Sequence, residues 1–134
     1  MITVLFACVH NAGRSQMAAA LFNHLADPVK ARAISAGTEP AVCVHPNVVK
    51  VMNEVGIDLS ALVPQKLDET LAVSAAMLVT MGCGEACPVL PGVERQDWPL
   101  SDPNGQSIEA VREIRDEVRR RVVALLRERG WLRP

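Results

Sequence analysis

The stretch Ile2-Thr3-Val4-Leu5-Phe6-Ala7-Cys8-Val9-His10-Asn11-Ala12-Gly13-Arg14-Ser15 decides how this chain folds and where its chemistry lies. Residues 2–7 form a continuous apolar run closed by a polar, glycine-containing stretch. A run that does not alternate marks a strand buried on both faces, as in parallel sheets. Residues 15–26 then place Ala18, Leu21, Phe22 and Leu25 at helical spacing, and Asp27-Pro28 ends the helix. Residues 8–15 thus join the carboxyl end of a strand to the start of a helix. In open parallel sheets, ligands bind at that edge, where the strand order reverses. Successive loop N–H groups and the helix N-terminus together favour a tetrahedral oxyanion there.

Two side chains make the loop reactive. Cys8 stands at its mouth, and the helix N-terminus and a neighbouring guanidinium both favour a thiolate. Arg14 closes the loop, and its planar fork suits two oxygens of one anion. Ser15 is placed to donate its hydroxyl to the sulfur, and Asn11 to brace the loop backbone. Gly13 is expected to supply a backbone conformation that other residues resist. Val9, His10, Asn11, Ala12, Gly13 and Arg14 together form the substrate-binding loop. A buried cysteine before a turn is the bland alternative, since free cysteine is often a small core residue. The strand–loop–helix setting and the serine after the arginine favour chemistry.

Further strands are read at residues 32–36, ended by Gly37, at 75–81, and weakly at 93–96. Pro46 begins a second helix, with Val48, Val51, Met52 and Val55 as its apolar stripe and Gly56 as its cap. Residues 57–70 read as irregular with room for a short helix. Ser107 caps the last helix, whose stripe is Val111, Ile114, Val118, Val122 and Leu125. Strands alternating with helices, and no hairpin signal, imply parallel strands with helices on both faces.

The 134 residues fit one domain, 1–134, and 49% hydrophobic content suffices for one core. A net charge of −1 gives no basic field for nucleic acid or anionic lipid. No apolar run approaches the roughly 20 residues that span a bilayer, and no signal peptide is read at the N-terminus. A cytoplasmic monomer is the expectation. Cys83 and Cys87 then read as redox or metal groups ahead of structural disulfides. Zinc held by these two with His45 or His10 is a rival, but nothing fixes the remaining ligands. Cys43 has no assigned role.

Cys8 and Arg14-Ser15 opening a helix after the first strand resemble the low-molecular-weight tyrosine phosphatase superfamily. The string Asn11-Ala12-Gly13-Arg14-Ser15-Gln16-Met17-Ala18 is similar to its arsenate reductase branch. Ser35-Ala36-Gly37-Thr38, Val79-Thr80-Met81 running into two cysteines, and Asp102-Pro103 fit as well, so the resemblance covers nearly the whole chain. It implies a flavodoxin-like three-layer fold with a four-stranded parallel sheet in the order 2-1-3-4. It also implies that Asp102 is the general acid that protonates the departing oxygen.

A phosphatase needs only Cys8, Arg14 and Asp102. A reductase must also deliver two electrons to arsenic and needs further thiols, which Cys83 and Cys87 would supply. The expected relay runs from Cys8 to Cys83 to Cys87 and out to an external thiol reductant. A helical 83–87 segment would hold the two Cβ atoms about 5–6 Å apart, whereas a disulfide needs about 3.5–4.5 Å. The segment is therefore expected to be irregular or to rearrange. Thioredoxin-coupled relatives usually have more than three residues between these cysteines. Glutathione with glutaredoxin, or mycothiol with mycoredoxin, are the alternative reductants. Some thioredoxin-coupled members also bind potassium through an acidic residue on the first helix. Ala19 stands there in this chain, and no metal or tightly bound cofactor is expected. A phosphatase, or an arsenate transferase to a small thiol, remains the alternative. Ser101 and Asn104 around Asp102-Pro103, and the absence of Tyr, leave no aromatic sandwich for a substrate ring and favour a small inorganic anion.

Overall fold

The computed structural model of the chain describes residues 1–82 and 91–134. Its elements follow in the order β1 (Ile2–Cys8), α1 (Arg14–Leu25), β2 (Ala31–Gly37), α2 (Pro46–Asn53), α3 (Glu69–Val73), β3 (Met77–Thr80), β4 (Glu94–Asp97) and α4 (Ile108–Arg129). The four strands form one sheet in the order β2-β1-β3-β4, with every neighbouring pair parallel. The expected order and strand direction both hold. The order reverses between β1 and β3, and Ala7 pairs with Thr80 there. Cys8 therefore ends β1 at the switch point.

Alternation along β1 divides the core. Val4, Phe6 and Cys8 face the larger cluster, built with Met17, Phe22, Val48, Met52, Val118 and Leu126 from α1, α2 and α4. Leu5 and Ala7 face a smaller cluster with Leu67, Ala72 and Leu78 beside α3. α4 turns Val111, Ile114, Val118, Val122 and Leu125 inward as its spacing predicts, each contributing about 1.5–3 kcal/mol of burial. The Ser107 hydroxyl caps it by accepting from the Ala110 N–H at 3.2 Å.

Three boundaries differ from expectation. α2 stops at Asn53, so Val55 lies beyond the helix and is exposed, while Val48, Val51 and Met52 are buried. Gly56 still closes the helix end, its N–H reaching Asn53 O at 3.1 Å while the Ile57 N–H reaches Met52 O at 3.0 Å. β3 is shorter than the apolar run that predicts it, because Ala75 and Ala76 lie outside the ladder. β4 is a polar edge strand one residue later than expected, held by backbone pairing to β3. No helix among the described residues is long and apolar enough to cross a membrane.

Candidate active site

The segment after β2 shapes the loop between β1 and α1. The N–H groups of Thr38, Glu39, Ala41 and His45 donate to the carbonyls of Cys8, Val9, His10 and Ala12, at 3.2, 2.8, 2.9 and 2.9 Å. In a trans peptide the N–H points opposite to the C=O. Drawing those carbonyls outward turns the N–H groups of Val9, His10, Asn11 and Gly13 toward the interior of the loop. Among the described residues, none of those four N–H groups meets a backbone carbonyl. Inward N–H groups of this kind are the geometry that an anion nest requires.

Cys8 lies at the floor, 2% exposed. Its Sγ is 2.9 Å from Ser15 Oγ. Ser15 Oγ also accepts from Asn11 Nδ2 at 2.8 Å, which leaves the hydroxyl proton free to point at the sulfur. Asn11 Oδ1 in turn accepts from Gln16 Nε2 at 3.1 Å and from the Gln65 N–H at 2.9 Å. Asn11, Ser15 and Gln16 are all buried. Each of these three has its partners within the network, so the network fixes one arrangement around the thiol. Asn11 sits in the left-handed region at φ +50°, where asparagine is tolerated better than most residues.

Gly13 has φ −143° and ψ −92°, neither helical nor extended, and a second requirement falls on it. The requirement is space, because a Cβ there would sit 2.6 Å from Pro103 Cγ. Asn11, not Gly13, carries the positive φ of the loop.

Arg14, with its side chain 9% exposed, donates from Nη1 to Leu100 O at 3.2 Å, and its Nη2 lies 3.9 Å from Asp102 Oδ2. Gly82 packs directly on the guanidinium, at φ +92°, and a Cβ there would collide with Nη1. Among the described residues this buried cation meets one neutral carbonyl and a carboxylate beyond hydrogen-bonding distance, a setting that favours an anion beside it. Asp102 is 46% exposed, with Oδ1 accepting the Asn104 N–H at 3.0 Å.

His10 lies at the rim, its Nδ1 donating to Glu39 O at 3.0 Å. His45 precedes α2, and burial pushes its pKa down. Asp102 opposes that shift, while His10 and Arg14 add to it, so the net effect favours the neutral ring. Trp98 is turned into the core with its ring 5.4 Å from Phe6. Cys43 is exposed. Cys83 and Cys87, with the expected rearrangement of their segment, lie outside the described residues. Among the described residues no group of three or more His, Cys, Asp or Glu is placed to hold a metal ion.

Sequence reading missed Gln16, Gln65, Gly82 and the Leu100 carbonyl. Gln16 had a signal, since a polar residue in the buried first turn of α1 needs a partner. Gln65 had none, because its bond to Asn11 comes from an irregular segment far along the chain.

The family model for low molecular weight phosphotyrosine protein phosphatase matches residues 3–130. The chain belongs to this family. Within it, a putative arsenate reductase of Halobacterium salinarum is 43% identical over 129 residues, covering 92% of this chain and 89% of that one. A glutaredoxin arsenate reductase of Synechocystis is 35% identical over 129 residues, covering 94% and 97%. The solved structure of a Corynebacterium glutamicum thioredoxin-dependent arsenate reductase superposes with a TM-score of 0.83 at 38% identity, over 96% of this chain. This chain spans 61% of that protein's length.

Proposed function

We propose that this protein is an arsenate reductase whose nucleophile is Cys8. The observation that carries the reading is a buried thiol, hydrogen-bonded by Ser15, beneath inward N–H groups and beside the Arg14 guanidinium. The names of its relatives support arsenate over a phosphate ester as substrate.

Arsenate enters the loop and is held by the N–H groups of residues 9–14 and by Arg14. Cys8 Sγ attacks arsenic, an S–As bond forms, and one oxygen leaves as water with the proton of Asp102. Ser15 stabilises the thiolate before attack. Cys83 then attacks Cys8 Sγ. The S–As bond breaks, its electron pair stays on arsenic, and arsenite leaves as a Cys8–Cys83 disulfide forms. Cys87 attacks Cys83 and frees Cys8, leaving Cys83–Cys87 oxidised. An external dithiol or thiol reductant of thioredoxin, glutaredoxin/glutathione or mycothiol/mycoredoxin type reduces that disulfide. The course of β3 supports the relay. Thr80 pairs with Ala7, and Gly82, the residue before Cys83 in the sequence, backs onto Arg14. A thiol relay requires a reducing compartment, which accords with a cytoplasmic monomer that binds neither nucleic acid nor membrane.

Single-turnover arsenite release tests the reading. Reduced, desalted protein is mixed with arsenate without added thiol, beside Cys83→Ser and Cys87→Ser. Stoichiometric arsenite that requires Cys83 supports the internal relay. Arsenite only after a small thiol is added assigns the second step to that thiol. Phosphate-ester hydrolysis with no arsenite under either condition overturns the reductase.

A further inference from the structure

Asp102 is the exposed member of the site, and its carboxyl has few restraints. The turn that carries it is partly self-contained. The Asn104 N–H donates to Asp102 Oδ1 at 3.0 Å, the Gln106 N–H to Pro103 O at 3.1 Å, and Gln106 Nε2 to Asp102 O. Such a turn holds its own shape but does not locate itself over Cys8. Besides the 3.9 Å approach of Asp102 to Arg14, location comes from two outside contacts. Pro103 is buried with its ring against Gly13. Asn47, the second residue of α2, donates from Nδ2 to Pro103 O at 2.9 Å and more weakly to Gln106 O at 3.5 Å. Among the described residues, the hydrogen bonds that reach residues 103–106 from another element all come from Asn47.

The orientation of that amide is informative. Asn47 Oδ1 is buried with no partner among the described residues. Turning the amide over would set Oδ1 against two carbonyl oxygens. The orphaned oxygen is thus the consequence of spending the NH2 on the turn, and a buried orphan acceptor calls for such a reason. Resting on the reading of Asp102 as the acid, we propose that Asn47 is a positioning residue for it. The Asn47 amide ties the 102–106 turn to α2 so that the carboxyl stays over the oxyanion loop when a negatively charged substrate enters.

The test is a double-mutant cycle on single-turnover arsenite release, using the full chain as parent, Asn47→Ala, Asp102→Ala and the double variant. Inorganic phosphate affinity is measured on all four. Asn47→Ala is expected to slow the parent roughly tenfold, since misplacing a reacting group by a fraction of an ångström costs on this scale. Phosphate affinity is expected to stay at the parent value, and the double variant to be no slower than Asp102→Ala. The same loss in both backgrounds would overturn the proposal, because Asn47 would then act through general folding or binding. A parental rate for Asn47→Ala, or weakened phosphate binding, would also overturn it. A parental rate for Asp102→Ala would remove the acid reading itself, and the role of Asn47 with it.

Discussion

The oxyanion loop and the acid turn face each other across the site, yet they are built by opposite means. The loop is buried. Asn11, Ser15 and Gln16 satisfy one another, and the segment after β2 fixes the carbonyls. The turn is exposed at Asp102, Asn104 and Gln106, and only Pro103 enters the interior. Anion binding needs donors that do not reorganise when charge arrives, so the binding half is set before the substrate comes. In the proposed function Asp102 must approach a leaving oxygen and then withdraw from it, and the turn that carries it hangs from Asn47, Gly13 and the flank of Arg14. Substitutions in the first half should therefore change binding, and substitutions in the second should change rate.

The largest expected effect is at the point where both halves meet. Cys8→Ser should reduce arsenite release to background while phosphate still binds, because the N–H groups and Arg14 remain. Calorimetry with phosphate beside an arsenite assay checks this, and lost phosphate binding would mean the thiolate is part of the binding floor. Asp102→Asn comes next. It should lower the rate constant roughly 10²–10⁴-fold, as general acids do, with phosphate affinity equal or tighter after removal of a carboxylate facing the anion. A KM effect without a kcat effect would break the division of labour between the two halves.

The two halves also differ in how far the sequence discloses them. β1, α1 and α4 are legible because their apolar periods are set locally, and Cys8, Arg14 and Ser15 follow from the strand–loop–helix join. Asp102 came from family resemblance, since Asp-Pro alone reads as a turn. Gly13 was located, but its second reason was hidden, because the atom that excludes a side chain belongs to Pro103, near the other end of the chain. Gln65 and Asn47 were silent for the same cause: each makes long-range hydrogen bonds that no local pattern encodes. β4 has no apolar alternation to read, because an edge strand of Glu94, Arg95, Gln96 and Asp97 is specified by backbone pairing.

Gly82→Ala tests the binding half from behind. A methyl group there collides with Arg14 Nη1, and the left-handed φ is strained for alanine. Displacing the guanidinium should cost a charge-assisted bond, roughly 10–100-fold in phosphate affinity. Phosphate titration checks this, and a variant that binds normally but turns over slowly would place Arg14 with the acid half instead.

The smallest effect concerns the platform beneath the acid turn. α2 carries Asn47 near its start, and just past its end Glu54 accepts from Arg112 at 2.7 Å and Arg115 at 2.9 Å of α4. Those bonds lower the Glu54 pKa to about 2 from an ordinary 4.5. A carboxylate whose folded pKa lies below its unfolded one adds stability that is fully present above the unfolded value. That stability is lost as pH falls through the folded value. Glu54→Gln should therefore lower the melting temperature most above pH 4.5, and the gap should close as pH approaches about 2. Because the pair is partly solvent-exposed, added salt should narrow the gap as well. Arsenite release near neutral pH should hardly change, since Asn47 sits at the opposite end of the helix. A large rate loss in Glu54→Gln would mean that α2 moves as a rigid lever, and that the acid turn is set by the whole helix packing on α4 rather than by one amide.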